Sequence, residues 1–318
     1  MFRMRSTSWA LVTLGVLSCS PDAGGDAADR GDAGGPAPAA ANSLPERFYE
    51  QSIVLMTTSG DSLMLVPWFF TALTTPEGID REARAWLHRG DSWELFFSAS
   101  WRTPPMRAPW RIMPRESMRI LVGEGDAVEG LVFDEGLRQL DVALESSMAE
   151  WSGARGETFH LLEGSVALSS GAIPGVVLHV SRGRGVADAP AGDWAFVASG
   201  DSLHLVLQSP TDQPPGTPLA YRSWALLADS RLEWPGVTVA WTRERAFEAA
   251  RRNVPVAWSI ASDDGDLVGE LEVRSAQMEA GPGEEPQLPV DAIFEVVGTV
   301  GIGGATYPVR GFLRHLQR

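Results

Sequence analysis

The stretch SGDSLMLV at 59–66 returns almost letter for letter as SGDSLHLV at 199–206. The likeness continues outward at the same offset: Trp101 falls on Trp241, and EGDAVEGL at 124–131 meets DGDLVGEL at 264–271. With a two-residue slip, RAWL at 84–87 meets RSWA at 222–225, and Asp91-Ser92 meets Asp229-Ser230. TFHLLEG at 158–164 pairs with TYPVRG at 306–311 at a longer offset. The acidic, Pro/Gly-rich run EAGPGEEPQLPVD at 279–291 accounts for that growth as a loop insertion. Several matches at one drifting offset mark two copies of one unit, with a period far too long for a solenoid.

Within each copy the apolar residues alternate or form short runs, as in SLMLVPWFFTAL, WELFFSASW, GVTVAWT and IFEVVGTV. Gly, Asp, Pro and Ser punctuate these runs at strand spacing. Each copy therefore reads as seven to nine antiparallel strands, a meandering barrel or sandwich. Only TRERAFEAARRN (242–253) has a helical pattern. The expected division is 1–18 signal peptide, 19–44 lipidated cysteine and tether, 45–171 first barrel copy, 172–186 connector and 187–318 second copy.

Arg3, Arg5 and the apolar stretch Trp9–Leu17 form an export signal too short to span a bilayer. VLSC at 16–19 resembles the lipobox of bacterial lipoproteins, which implies acylation of Cys19, and Ser20 after it implies the outer membrane. Cys19 is the sole cysteine, so the body has neither a disulfide framework nor a thiol nucleophile. The Ala, Gly, Pro and Asp of 20–44 read as a flexible tether. All 26 basic residues are arginine, which excludes Schiff-base and Walker-lysine chemistry, and a net charge of −15 argues against nucleic acid.

GDSL also spells the nucleophile signature of an esterase family, in which a helix follows the serine. Here a strand follows both Ser62 and Ser202, and the αβ alternation of those enzymes is missing, so the motif reads as a hairpin turn. No two of the five histidines stand at metal-ligand spacing, and no cofactor is expected. His204 stands out because its mate in the first copy is Met64. Repeat-matched tryptophans, Trp86/Trp224 and Trp101/Trp241, read as core elements closing each barrel. The unmatched Trp68, Trp93 and Trp110, with Phe96 near them, are candidates for lining an apolar pocket. Glu94, Asp141 and Glu145 lie on strands, where a carboxyl facing a cavity can serve as an acid.

Two similar barrel-like units resemble the tandem lipocalin-like superfamily of AttH-like proteins, carotenoid hydratases and tocopherol cyclases. The closing pattern VVGTVGIGGATYPVRGFLRH (296–315) carries the resemblance, with Arg314 where those proteins often place an acid before the histidine. The resemblance implies an all-β pair of tandem lipocalin-like barrels from internal duplication, with an apolar cavity. In some members it implies water addition to, or cyclisation of, isoprenoid double bonds. No catalytic residue carries over. The leading expectation is a membrane-anchored lipoprotein holding a hydrophobic small molecule, such as a lipid or isoprenoid, in a barrel cavity. The alternatives are a ligand-free structural or partner-binding lipoprotein, and an isoprenoid lyase or isomerase using Glu94, Asp141, Glu145 or His204.

Overall fold

The computed structural model describes residues 46–318 except 60–61, 154, 169–170, 186–191, 201 and 210–218. The expected export signal, the expected lipidation site at Cys19 and the expected tether lie outside the described residues. The rest is built of strands; among the described residues the helical elements are two single 3-10 turns, Glu124–Asp126 and Glu248–Ala250.

The first sheet comprises β1 (Arg47–Ser59), β2 (Ser62–Thr75), β3 (Gly78–Arg89), β4 (Ser92–Thr103), β5 (Met118–Val122), β6 (Val128–Glu135), β7 (Arg138–Ser152), β8 (Thr158–Leu168) and β9 (Gly171–Gly185). Its order is β4-β3-β2-β1-β9-β8-β7-β6-β5, antiparallel throughout and unpaired between β4 and β5. The second copy comprises β10 (Trp194–Ser199), β11 (Leu203–Gln208), β12 (Leu219–Leu227), β13 (Ser230–Phe247), β14 (Arg252–Ser262), β15 (Leu267–Ala280), β16 (Val290–Ile302) and β17 (Ala305–Gln317). These eight close into a barrel through the β10–β17 seam. The protein is thus all-β, a pair of tandem lipocalin-like barrels, the first open along one side.

Proline explains why one copy closes and the other does not. After β4 the chain runs through Pro104, Pro105, Pro109 and Pro114, which have no N–H to give to a ladder. The corresponding run in the second copy, 242–253, contains no proline, and β13 continues until it pairs with β14. This overturns the helical expectation for 242–253: ladder pairing from Arg243↔Ala257 to Phe247↔Arg252 outweighs the local pattern, leaving a single 3-10 turn. Residues 172–185, nearly all of the expected connector 172–186, belong instead to β9, inserted between β1 and β8 on both ladders. In the second copy the equivalent strands, β10 and β17, meet directly.

The repeated SGDSL is a hairpin in both copies, but of two lengths. Ser59 pairs with Ser62 in the first, whereas Ser199 pairs with Leu203 in the second. Gly200 takes φ +53°, and the Ser202 backbone N–H and hydroxyl both donate to the Ser199 carbonyl, at 3.2 and 2.7 Å. One residue of difference in the turn turns every following side chain to the other face of the strand. Met64, Val66 and Trp68 therefore fill the inside of the first sheet, while Leu63 and Leu65 face out. In the second copy Leu203, Leu205 and Leu207 face in, and Val206 faces out.

The outward faces meet. A third core, with Leu65, Trp86, Phe159, Trp194, Phe196, Trp224 and Phe312 among its members, lies between the two barrels. Trp86 and Trp224 thus join the barrels rather than closing each one, whereas Trp101 and Trp241 do pack against the inner cores. At the β10–β17 seam Gly311 lies opposite Val197, and a methyl group there would stand 2.1 Å from the Phe196 carbonyl oxygen. Gly311→Ala is expected to destabilise the protein by about 1–3 kcal/mol through overpacking, read from urea unfolding monitored by tryptophan fluorescence.

Candidate functional site

Among the described residues each copy has a packed apolar core. A void of about 10 Å³ lies inside the closed barrel, against Tyr221 and Trp258. The first sheet holds Trp68 stacked on Phe70 at 5.9 Å with Phe96 edge-on at 5.1 Å, and Phe96 in turn meets Phe133 at 5.3 Å. A larger space, a cleft of about 530 Å³, opens between the barrels. That is within the range of sites that take small organic molecules.

Outward-facing positions on strands of both copies build the cleft. Phe48 and Glu50 come from β1, Phe69 from β2, and Glu82, Arg84 and Trp86 from β3. The other wall is Gln277 and Glu279 of β15, Asp291 and Ile293 of β16, and Arg314 and Leu316 of β17, with Pro282 and Pro289 at the lip. Phe69, Trp86 and Ile293 form an apolar floor continuous with the core between the barrels.

The charges around the floor are paired. Arg84 bridges the copies, 2.6 Å from Glu82 on one side and 2.6 Å from Glu279 on the other. Arg314 pairs with Asp291 at 2.7 Å and lays its guanidinium over the Phe69 ring, 4.4 Å from the centroid. Arg184 does the same over Phe48 at 4.6 Å, with Glu50 3.7 Å away. Burial works against the Arg314 charge, but Asp291, with Glu50 and Glu82 behind it, holds it above its ordinary range. The cleft therefore offers an apolar surface edged by fixed, planar donors, matched to a molecule with an apolar body and polar substituents.

On three of these strands a residue two places along carries a second cluster, buried beside the cleft. Trp86, Gln277 and Ile293 line the cleft; His88, Ser275 and Glu295 do not, and are buried. Ladder irregularities between Ala85 and Trp86 and between Val273 and Ser275 accompany this turn of the strands. Ser275 Oγ lies 2.8 Å from His88 Nε2, 3.4 Å from Glu295 Oε2, and 3.1 Å from the Trp93 indole nitrogen that donates to it. Serine, histidine and glutamate together invite comparison with a nucleophilic triad. The geometry does not support it: the carboxylate sits by the same ring nitrogen as the serine, leaving nothing to orient His88 through Nδ1. The cluster is a polar staple between the barrels.

The residues expected at a pocket fall mostly outside the cleft. Trp68 and Phe96 pack together in the first core. Trp93 belongs to the staple, its ring 4.6 Å from that of His88. Trp110 is half exposed beside Tyr49, 6.0 Å away, at a separate void of about 10 Å³. Glu94 is exposed and paired with Arg138 at 3.0 Å, Asp141 is exposed, and Glu145 is exposed and accepts from Ser165 at 3.0 Å. These three carboxylates face water, not a cavity. His204 is buried, but the register of its hairpin turns it out of the barrel toward Phe196, 6.4 Å away. The cleft residues were missed, although one signal marked them: the 279–291 insertion, absent from the first copy, supplies much of one wall.

No protein-family model and no curated protein matches this chain. Solved structures do. Kievitone hydratase from Nectria haematococca is 13% identical, covering 87% of this chain and 90% of its own, with a TM-score of 0.55. A putative AttH from Nitrosomonas europaea is 11% identical, covering 86% of this chain and 92% of its own, with a TM-score of 0.57. CghA, solved with Sch210972, is 11% identical over 85% of this chain and 88% of its own, with a TM-score of 0.50. What the chain shares with them is the tandem-barrel fold.

The staple gives stability a pH signature. Burial pushes His88 down to about 4, Arg274 and Arg310 adding to the effect and Asp91 opposing it. Desolvation likewise pushes half-buried His179, beside His160, down to about 4. Unfolded histidine takes up a proton that these folded sites refuse, so their contribution is full above pH 6.5 and fades as pH falls toward 4. Glu295 acts oppositely: burial raises it, outweighing Arg274, Arg310 and Ser275, so acid favours its folded form. Glu295→Gln should steepen the acid loss of stability and His88→Gln should flatten it, read from urea midpoints between pH 7 and 4.

Proposed function

We propose that the protein binds a small amphipathic molecule in the cleft between its barrels. Phe69, Trp86 and Ile293 would receive the apolar body, and the Arg84 and Arg314 ion pairs would meet its oxygen substituents. One observation carries this reading: the cleft offers about 530 Å³ over an apolar floor edged by arginine ion pairs, against about 10 Å³ for the void inside the closed barrel. A ligand inside a barrel, as first expected from the fold, would have to displace a packed core. That CghA has been solved with the small molecule Sch210972 supports ligand binding on this fold.

A hydratase-like activity draws support from the likeness to kievitone hydratase. Binding is the better-supported reading, because Glu50, Glu82, Glu279 and Asp291, the cleft's side-chain carboxylates, each stand within 3.7 Å of an arginine. We further propose that Cys19 is lipidated and that residues 20–44 tether the barrels to the outer membrane. Cys19→Ser should move the protein from the membrane fraction to the soluble one.

Native mass spectrometry of the chain recovered from its host, beside an organic extract of the same preparation, tests the cleft. A bound species should appear, quench tryptophan fluorescence, and bind at least about tenfold more weakly to Arg314→Ala, equivalent to about 1.4 kcal/mol. A protein that stays empty after challenge with host lipid extract would overturn the reading in favour of a structural or partner-binding role.

A further inference from the structure

Three directly opposed residues cross the first sheet in one row. Glu150 of β7 pairs with His160 of β8, and His160 pairs with His179 of β9. The neighbours of each along its own strand, Ala149 and Trp151, Phe159 and Leu161, Leu178 and Val180, pack into the core between the barrels. Strand alternation therefore turns Glu150, His160 and His179 together to the other face, the inner face of the open copy. Gln51 of β1 shares that face: it stands two residues before Ile53, an inner-core residue opposite His179 on the ladder. No sequence window shows this row, because strand register creates it. It is open to solvent: the side chains of Glu150 and His160 are 59% and 39% exposed, and His179 is half-buried.

Each imidazole is engaged through one nitrogen. Gln51 Nε2 donates to the Trp110 carbonyl, which fixes the amide and leaves its Oε1 as an acceptor 3.0 Å from His179 Nε2. The His179 ring proton is therefore on Nε2, and Nδ1 keeps its lone pair. On the other side Glu150 Oε1 stands 3.4 Å from His160 Nε2 and draws the ring proton there, leaving the His160 Nδ1 lone pair as well. An oxygen acceptor behind one ring nitrogen is the support that metal-ligating histidines use to set tautomer and orientation. The two rings lie 6.1 Å apart, centroid to centroid. A metal ion about 2.1 Å from one nitrogen of each would hold the centroids roughly 5–6 Å apart, so a small side-chain rotation suffices. Burial, with His160 beside it, pushes His179 down to about 4. It is neutral at pH 7, where no proton competes with a metal for its lone pair.

We propose that His160 and His179 form a two-histidine site for a divalent transition-metal ion on the inner face of the open copy, with Glu150 and Gln51 as supporting acceptors. Among the described residues no group of three such side chains is set to hold an ion, so the pair supplies the protein ligands and water the rest. Imidazole donors select zinc, nickel or copper over magnesium or calcium. The Glu150 carboxylate and a net charge of −15 favour a cation there. The site lies on the opposite face of the first sheet from the cleft and does not depend on a ligand in it.

Zinc alone, added to the full chain without a histidine tag and followed by nitrogen-15 NMR of labelled histidine, decides it. One equivalent should shift the Nδ1 signals of His160 and His179 together and leave those of His88, His204 and His315 in place. His179→Gln should weaken zinc binding at least about tenfold. Gln51→Leu, which keeps both rings but removes one supporting acceptor, should weaken it about 10–100-fold. Should a variant fail to fold, the signals of the unsubstituted protein still decide. Zinc that leaves both rings unmoved, or that binds as well to His179→Gln, would overturn the proposal and leave the row as a structural contact.

Discussion

The apolar contact between the two barrels sets most of the other features. A barrel strand ordinarily buries one face and wets the other; here β10 and β11 are buried on both faces over nearly their whole length. Phe159 meets Trp224 at 5.1 Å across this junction, and Trp194 meets Phe312 at 5.1 Å within it. That third core fills part of the junction, and the cleft is space left beside it. Its edge is polar because the strands leave the apolar contact and re-enter solvent, where arginines and carboxylates can pair across the gap. The same packing seals the His88–Ser275–Glu295 staple, whose hydrogen bonds hold β3 and β4 against β15 and β16.

The duplication and the β class were legible because they rest on local signals: turn residues, alternation and a repeated offset. The facing of individual side chains was not. Strands buried on both sides lose the polar half of their alternation, so SLHLVLQ reads the same whichever face is inside. The two SGDSL hairpins differ by one paired residue, and that difference arises from the turn, not from the strand letters. It is why Met64 and His204, aligned in sequence, lie on opposite sides of their strands. The Pro-rich run after β4 carried a readable signal for the open edge, since four prolines cannot sustain a ladder. The charged 242–253 run misled because its helical pattern was local while its pairing with β14 was not.

The site was the least legible part. Aromatic residues proposed as a pocket wall, Trp68 and Phe96, are core because their partners arrive from β3 to β6, a convergence that no local window contains. The cleft draws from seven strands of both copies, so no single motif spells it. Its clearest trace was an asymmetry between the copies: 279–291 adds residues to one repeat only, and those residues frame the opening. Arg314, noted as a departure from the pattern of similar proteins, proves to be a cleft residue stacked on Phe69.

The β10–β17 seam has a kinetic side. Trp194 pairs with Arg314, so the closing ladder joins strands at opposite ends of the second copy. The entropy of bringing distant segments together must be overcome before their contacts contribute, which makes such topologies slow to form. β17 also supplies Arg314 and Leu316 to the cleft and His315 to the barrel interior. The strand that completes the barrel therefore also completes the cleft wall. An incompletely folded chain would lack the seam, the cleft wall and the hydrogen bond between Asp193 and His315 together, so that the cleft forms with closure rather than before it.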